Sequence, residues 1–234
     1  MISPAHFAKG YASFWNTLFP MADALVRAIN LDYERFAPDA DKGFSSDPKR
    51  RALINETAFE LARLRWGNPA GELDGLVEAA FAVAVETILR IDSSSNVGYP
   101  SITEWQEVEF VVARLIQFCI LQKGGSSFVF SPLVPGCGFV SGGQADLLVD
   151  STVFEVKSGE RNFRVVDLRQ VLIYATLFNL ANPGRISTIA LLNPRRGVYY
   201  AARCDDICAA AGGAPSSYCF SQLVEFMSGA FNSI

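Results

Sequence analysis

Asp146, Glu155 and Lys157 are the residues of this chain whose types and spacing are best suited to chemistry. They stand in the stretch GGQADLLVDSTVFEVKSGERNFRVVDLRQVLIYATLFNL, residues 142–180. Their neighbours Leu147 to Val149 and Thr152 to Val156 are mostly apolar and β-branched, which predicts two strands joined at Asp150-Ser151. A turn there sets Val149 opposite Thr152, Leu148 opposite Val153, Leu147 opposite Phe154, and Asp146 opposite Glu155. Opposite residues project from one face, and Lys157, two residues on, shares it. An odd-length loop or a bulge would spoil that alignment. Two adjacent carboxylates repel unless a cation joins them. A hard divalent ion with oxygen ligands, Mg²⁺ or Mn²⁺, meets that need. A lysine beside it can orient an attacking water, which suits hydrolysis of a phosphodiester. The plain alternative is a Glu155–Lys157 ion pair on a solvated face.

The spacing Asp146, Glu155, Val156, Lys157 resembles the PD-(D/E)xK nuclease superfamily, which has a restriction-endonuclease-like fold. Gln170 and Tyr174 match the QxxxY signature of its exonuclease-type branch. The likeness covers roughly residues 101–203, and Ala145 stands where the name-giving proline would be. It implies a mixed central sheet flanked by helices, with Asp146, Glu155 and the Val156 carbonyl around the metal. It implies catalytic roles for Asp146, Glu155, Lys157 and Gln170, and a nucleic-acid substrate, DNA rather than RNA. Such proteins often add a glutamate from the helix before the strands, here Glu104 or Glu109, although Glu104 also satisfies a capping box and a plain structural role is favoured for each. Gln170 has a competing role, since Asp167 to Gln170 reads as a capping box. The Tyr174 ring could equally be core. Arg161, Arg164 and Arg169 lie close enough in sequence to hold phosphates. Some relatives of this branch carry an iron–sulfur cluster. None is expected here, because Cys204, Cys208 and Cys219 lack the tight spacing such a cluster uses.

Composition sets limits. The net charge is −4, with 50% hydrophobic and 19% charged residues. A basic surface is the usual mark of a nucleic-acid protein, so the acidic balance argues against the reading. Lys49-Arg50-Arg51, Arg161 with Arg164 and Arg169, and Arg195-Arg196 are local exceptions. His6 is the only histidine, which excludes a histidine-rich zinc site and argues against a Ser-His-Asp triad. The five cysteines, at irregular spacing, predict free thiols. No apolar run predicts a membrane span and the N-terminus does not read as a secretion signal, so a cytoplasmic protein is expected.

Around the motif the chain is expected to be α/β: a helical part over 1–98 and a nuclease-like domain over 99–234. Helices are read at Phe7–Leu18, Ala22–Arg35, from Asp47-Pro48 to near Gly67, and at Leu73–Ile91. A loop is read at Phe36–Phe44 and a boundary at Asp92–Pro100. Glu78 and Glu86 read as solvent-facing or helix-end acids. Ser101 to Glu104 forms a capping box opening a helix to about Lys123, ended by Gly124-Gly125. Strands follow at Phe128–Val134, Phe139–Val149 and Thr152–Lys157. Then come a helix at Arg164–Leu180, strands at Ile186–Leu192 and Gly197–Ala201, and a closing helix at Ser217–Ala230. Two functions fit: a metal-dependent nuclease, in DNA processing or defence against phage, or a non-catalytic assembly subunit on a nuclease fold. The helical N-terminal part is then support or a surface for a protein partner.

Overall fold

The computed structural model describes residues 1–37, 46–122 and 127–229. β5 (Leu147–Val149) and β6 (Thr152–Val156) form the expected hairpin, with Val149 opposite Thr152, Leu148 opposite Val153 and Leu147 opposite Phe154. Asp150 turns the corner at φ 50°, a conformation aspartate tolerates better than most residues. β2 (Phe128–Phe130) pairs antiparallel outside β5. On the other side β7 (Thr188–Asn193) runs parallel to β6, and β8 (Val198–Arg203) runs antiparallel to β7. A parallel neighbour needs a crossover, and α7 (Val165–Ala181) supplies it. β1 (Glu34–Arg35) closes the other edge, giving a mixed six-stranded sheet in the order β1-β8-β7-β6-β5-β2.

The central strands are apolar on both faces, so both must be covered. Leu148, Val153, Ile189 and Leu191 enter one core, which also takes side chains from α1 (Pro4–Lys9), α2 (Ala12–Leu18), α3 (Ala22–Asp32), α7, α8 (Cys204–Gly212) and α9 (Ser216–Met227). Leu147, Val149, Phe154 and Leu192 enter the other, under α4 (Arg51–Gly67), α5 (Leu73–Ile91) and α6 (Ile102–Gln122). Residues from both sides of position 98 fill each core, so the expected boundary does not separate two hydrophobic cores. No helix among the described residues is long and apolar enough to cross a membrane.

Several expected elements are broken, each for a local reason. The strand expected at 128–134 stops where Ser131 adopts φ 50° and Pro132 brings no ladder donor. The chain then enters β3 (Leu133–Val134), which pairs with β4 (Gly143–Gln144) in a separate two-stranded sheet. The strand expected at 139–149 is interrupted by the same arrangement. Gly10 and Tyr11, the latter at φ 53°, split the first helix. The second ends at Asp32, and Glu34-Arg35 becomes an edge strand. Asp47 accepts the Lys49 N–H at 2.9 Å in a turn that precedes α4. Helix α8 was not expected. The loop at Phe36–Phe44, the end of the helix near Lys123 and Ala230 fall wholly or partly outside the described residues.

Asn30 ties α3 to the segment leading into α7. Its amide donates to the Phe163 carbonyl at 2.9 Å and accepts the Phe163 N–H at 3.0 Å. Asn30→Ala leaves both backbone groups unpaired, which costs about 1–3 kcal/mol. Urea unfolding of the variant is expected to show that loss, and an unchanged midpoint would refute the bridge's role.

Candidate active site

The hairpin carries its acids to the end of the sheet. Asp146 precedes β5, and its Oδ2 accepts the Val156 N–H at 2.6 Å. Lys157 Nζ donates to Glu155 Oε1. The other oxygen, Glu155 Oε2, is buried without a hydrogen-bond partner. Glu155 is only 1% exposed, so burial holds its carboxyl well above the usual range, and the Asp146 charge raises it further. Burial also raises Asp146, against the pull of Lys157 and the Val156 N–H. For Lys157 burial acts downward, but Glu155 and Asp146 outweigh it and keep the ammonium protonated. The three groups expected to act together are therefore electrostatically coupled.

A cavity of about 590 Å³ opens beside them, lined by Asp146, Val156, Lys157 and Arg161. Its opposite wall is α4, which contributes Asn55, Glu56, Phe59 and Glu60. Glu56 was not anticipated. Its carboxyl is pushed up to about 7, by burial first, then by Glu60 and Asp146. Glu60 is itself buried and bound by Arg63 at 2.6 and 2.8 Å. The glutamates expected from the leading helix do other work. Glu104 accepts the Ser101 N–H at 2.7 Å, completing the expected capping box, and binds Arg50 at 2.6 Å. Glu109 binds Arg65 through two contacts of 2.7 Å. These pairs fasten both ends of α4 to α6, and so set Glu56 over the cavity. On α5 the outer rim carries Glu86, paired with Arg90 at 2.7 Å.

From the other face α7 approaches with Gln170 and Tyr174. Gln170 Nε2 donates to the Tyr174 hydroxyl at 3.0 Å. Burial pushes the Tyr174 phenol up, and the Glu155 and Asp146 charges add to it, so the ring lies within their field. Asp167 sits at the third helical position and accepts the Arg164 N–H at 2.9 Å. The capping partner is thus Arg164 and not Gln170. Arg161 grips Asp167 at 2.6 and 2.8 Å while lining the cavity. Arg164 is exposed at the helix start. Arg169 lies over the Trp15 ring, 5.3 Å from its centroid, so it packs between helices and does not line the cavity.

The turn after Lys157 is pinned from the β7–β8 connection. Asn193 Nδ2 donates to the Gly159 carbonyl at 2.8 Å and Arg195 Nε to the Ser158 carbonyl at 3.1 Å. Arg195 is buried with Glu107, which accepts the Ser46 N–H at 2.8 Å. All five cysteines are free thiols. Among the described residues no group of three or more His, Cys, Asp or Glu side chains is drawn together closely enough to hold a metal ion as they stand. The chain matches no protein-family model and no curated protein.

The sequence did hold a signal for the α4 wall. Asn55 with Phe59, and Glu56 with Glu60, are spaced four apart on a helix that is otherwise strongly apolar on its buried side. Like charges at that spacing are unfavourable, and that cost marks the pair. Burial and the neighbouring acids hold the Glu56 carboxyl at about 7, above its ordinary 4.5, so folding binds a proton between those values. Its contribution is nil below the lower value, and it lowers stability as pH rises towards and past the upper one. Glu56→Gln is expected to stabilise the metal-free protein at pH 8 by about 2–3 kcal/mol, and to do nothing at pH 4. Urea unfolding of parent and variant at the two pH values checks the sign. A loss of stability at pH 8 would instead show that the folded protein favours the ionised Glu56, and would refute the assignment.

Proposed function

We propose that the chain is a metal-dependent nuclease of the PD-(D/E)xK type, built on a restriction-endonuclease-like core and cutting phosphodiester bonds, most naturally of DNA. The observation that carries this reading is the buried, partnerless Oε2 of Glu155 next to Asp146. Two like-charged carboxylates at one lysine leave negative charge unbalanced, and an oxygen-only donor set fits a hard cation. Asp146 and Glu155 would hold Mg²⁺ or Mn²⁺, with Val156, whose residue lines the cavity, offering its carbonyl. Glu56 supplies a third carboxylate from across the cavity. When bound, such an ion polarises the phosphodiester and makes water more acidic.

The chain's own residues do the rest. Lys157 keeps its proton at Nζ under the influence of both carboxylates. It orients the attacking water and offsets charge that develops on the phosphate. Gln170, steadied at its amide nitrogen by Tyr174, offers its amide oxygen to that water. Arg161, fixed by Asp167, faces the cavity where a flanking phosphate would lie.

Asp146→Asn, Glu155→Gln and Lys157→Met are each expected to lower Mn²⁺-dependent cleavage of a labelled DNA strand about a hundredfold or more. The variants should keep the parent's circular dichroism. Calorimetric titration with Mn²⁺ should show saturable binding to the parent and none to Asp146→Asn. A parent that neither binds Mn²⁺ nor cuts would leave a non-catalytic assembly subunit as the better reading.

A further inference from the structure

The two edges of the central sheet are unlike. β1 closes one edge with Glu34 and Arg35, both exposed, and charge on an edge discourages further pairing. β2 ends the other edge and reads Phe128-Val129-Phe130, with no charge. The Asp150 N–H donates to the Ser127 carbonyl at 3.0 Å, and the Ser131 N–H to the Asp146 carbonyl at 2.9 Å. Bonded positions alternate along an antiparallel pair, so Ser127, Val129 and Ser131 bond towards β5. Phe128 and Phe130 therefore turn their N–H and C=O groups outward. Among the described residues those groups have no hydrogen-bond partner.

A cavity of about 660 Å³ adjoins this edge, lined mainly by Trp66, Leu73, Leu76, Ile116, Ile120 and Phe128. The Trp66 ring centroid lies 5.2 Å from that of Phe128. Leu73 and Ile120 are exposed at its wall, and clustered exposed apolar residues mark an interaction site. Phe128 and Phe130 pack towards the core under α4 and α6. A strand laid along β2 would therefore project the residue opposite Phe128 to the cavity's side of the sheet. Glu72 and Asp74 flank Leu73 and are exposed. Among the described residues neither has an ion-pair partner.

We propose that the outer edge of β2 binds an extended segment of a partner polypeptide as an added strand, with one large apolar side chain in the cavity and basic residues beside it. The outward groups of Phe128 and Phe130 supply main-chain hydrogen bonds, and the cavity selects the side chain. Glu72 and Asp74 favour Lys or Arg next to that side chain. A second copy fits less well. Paired edge to edge, each copy would bring up its own Phe128 and Phe130, whose rings are packed on their own core, and both cavities would stay unfilled. A strand of three residues also falls short of the area that a stable dimer buries. The cavity shares no lining residue with the one beside the hairpin acids, so the inference stands apart from the nuclease reading.

The test uses the full chain and a fluorescent synthetic peptide in which Thr and Val alternate about a central Trp, with Lys at both ends. Fluorescence anisotropy is expected to show saturable binding. Ile120→Glu, at an exposed position of the cavity wall, should keep the parent's circular dichroism and weaken binding about tenfold or more, as should Ala in place of the peptide's Trp. Methylating the backbone nitrogens of one alternate set of peptide residues should weaken binding by a similar factor. Methylating the other set should leave it intact, because only one set faces β2. Glu in place of the peptide's Lys should weaken binding to the parent and restore it to the Glu72→Lys, Asp74→Lys double variant. No binding at millimolar peptide overturns the proposal, as does binding that both methylated peptides lose or keep alike. A parent dimer in sedimentation that Ile120→Glu disperses gives the edge to a second copy and overturns it too. Binding indifferent to the exchange of Lys for Glu overturns the basic flanks. Should Ile120→Glu fail to fold, the two methylated peptides decide alone.

Discussion

Unbalanced negative charge at the end of a sheet is the constraint around which this protein is arranged. Asp146, Glu155 and Glu56 all have carboxyl groups that burial pushes upward. Lys157, on their side of the cavity, pairs with Glu155. Removing charges from water costs several kcal/mol each unless they are paired. A fold with no use for that cost would neutralise such a cluster with apolar residues. Here the acids are kept in place by structure that comes from every part of the chain.

That structure has two parts. Arg50 with Glu104 and Arg65 with Glu109 fix the two ends of α4 on α6, which sets the height of Glu56 over the hairpin. Asn193 and Arg195 hold the carbonyls of the turn after Lys157, which limits how far that turn can drift. The central strands are buried on both faces, so β6 cannot slide without exposing Val153 or Phe154. The acids therefore sit at the rim of a stiff frame, where ligands of open α/β sheets characteristically bind.

The hairpin was legible because side-chain alternation and a two-residue turn fix register locally. The mixed α/β character was legible for the same reason, through strand and helix periods. The breaks at Ser131-Pro132 and Tyr11 were less so, since positive φ at a non-glycine residue follows from tertiary packing and not from local preference. Glu56 is marked by its like-charged neighbour Glu60, but its meeting with Asp146, ninety positions on, comes only from tertiary packing. The resemblance offered Glu104 or Glu109 in the nearer helix, and each instead takes a structural role, bound to Arg50 at the start of α4 or to Arg65 within it. Arg169 illustrates the same limit, since only the packed α2 reveals Trp15 beneath it.

The internal use of arginine has a further consequence. Arg50, Arg65, Arg161 and Arg195 are each held by a carboxylate, in a chain of net charge −4. A polyanion approaching such a surface sheds few condensed counterions. Its affinity would then depend only weakly on ionic strength, and its arrival would owe little to long-range attraction. Selection would fall on what enters the cavity, at close range, and not on what is drawn to the molecule from a distance.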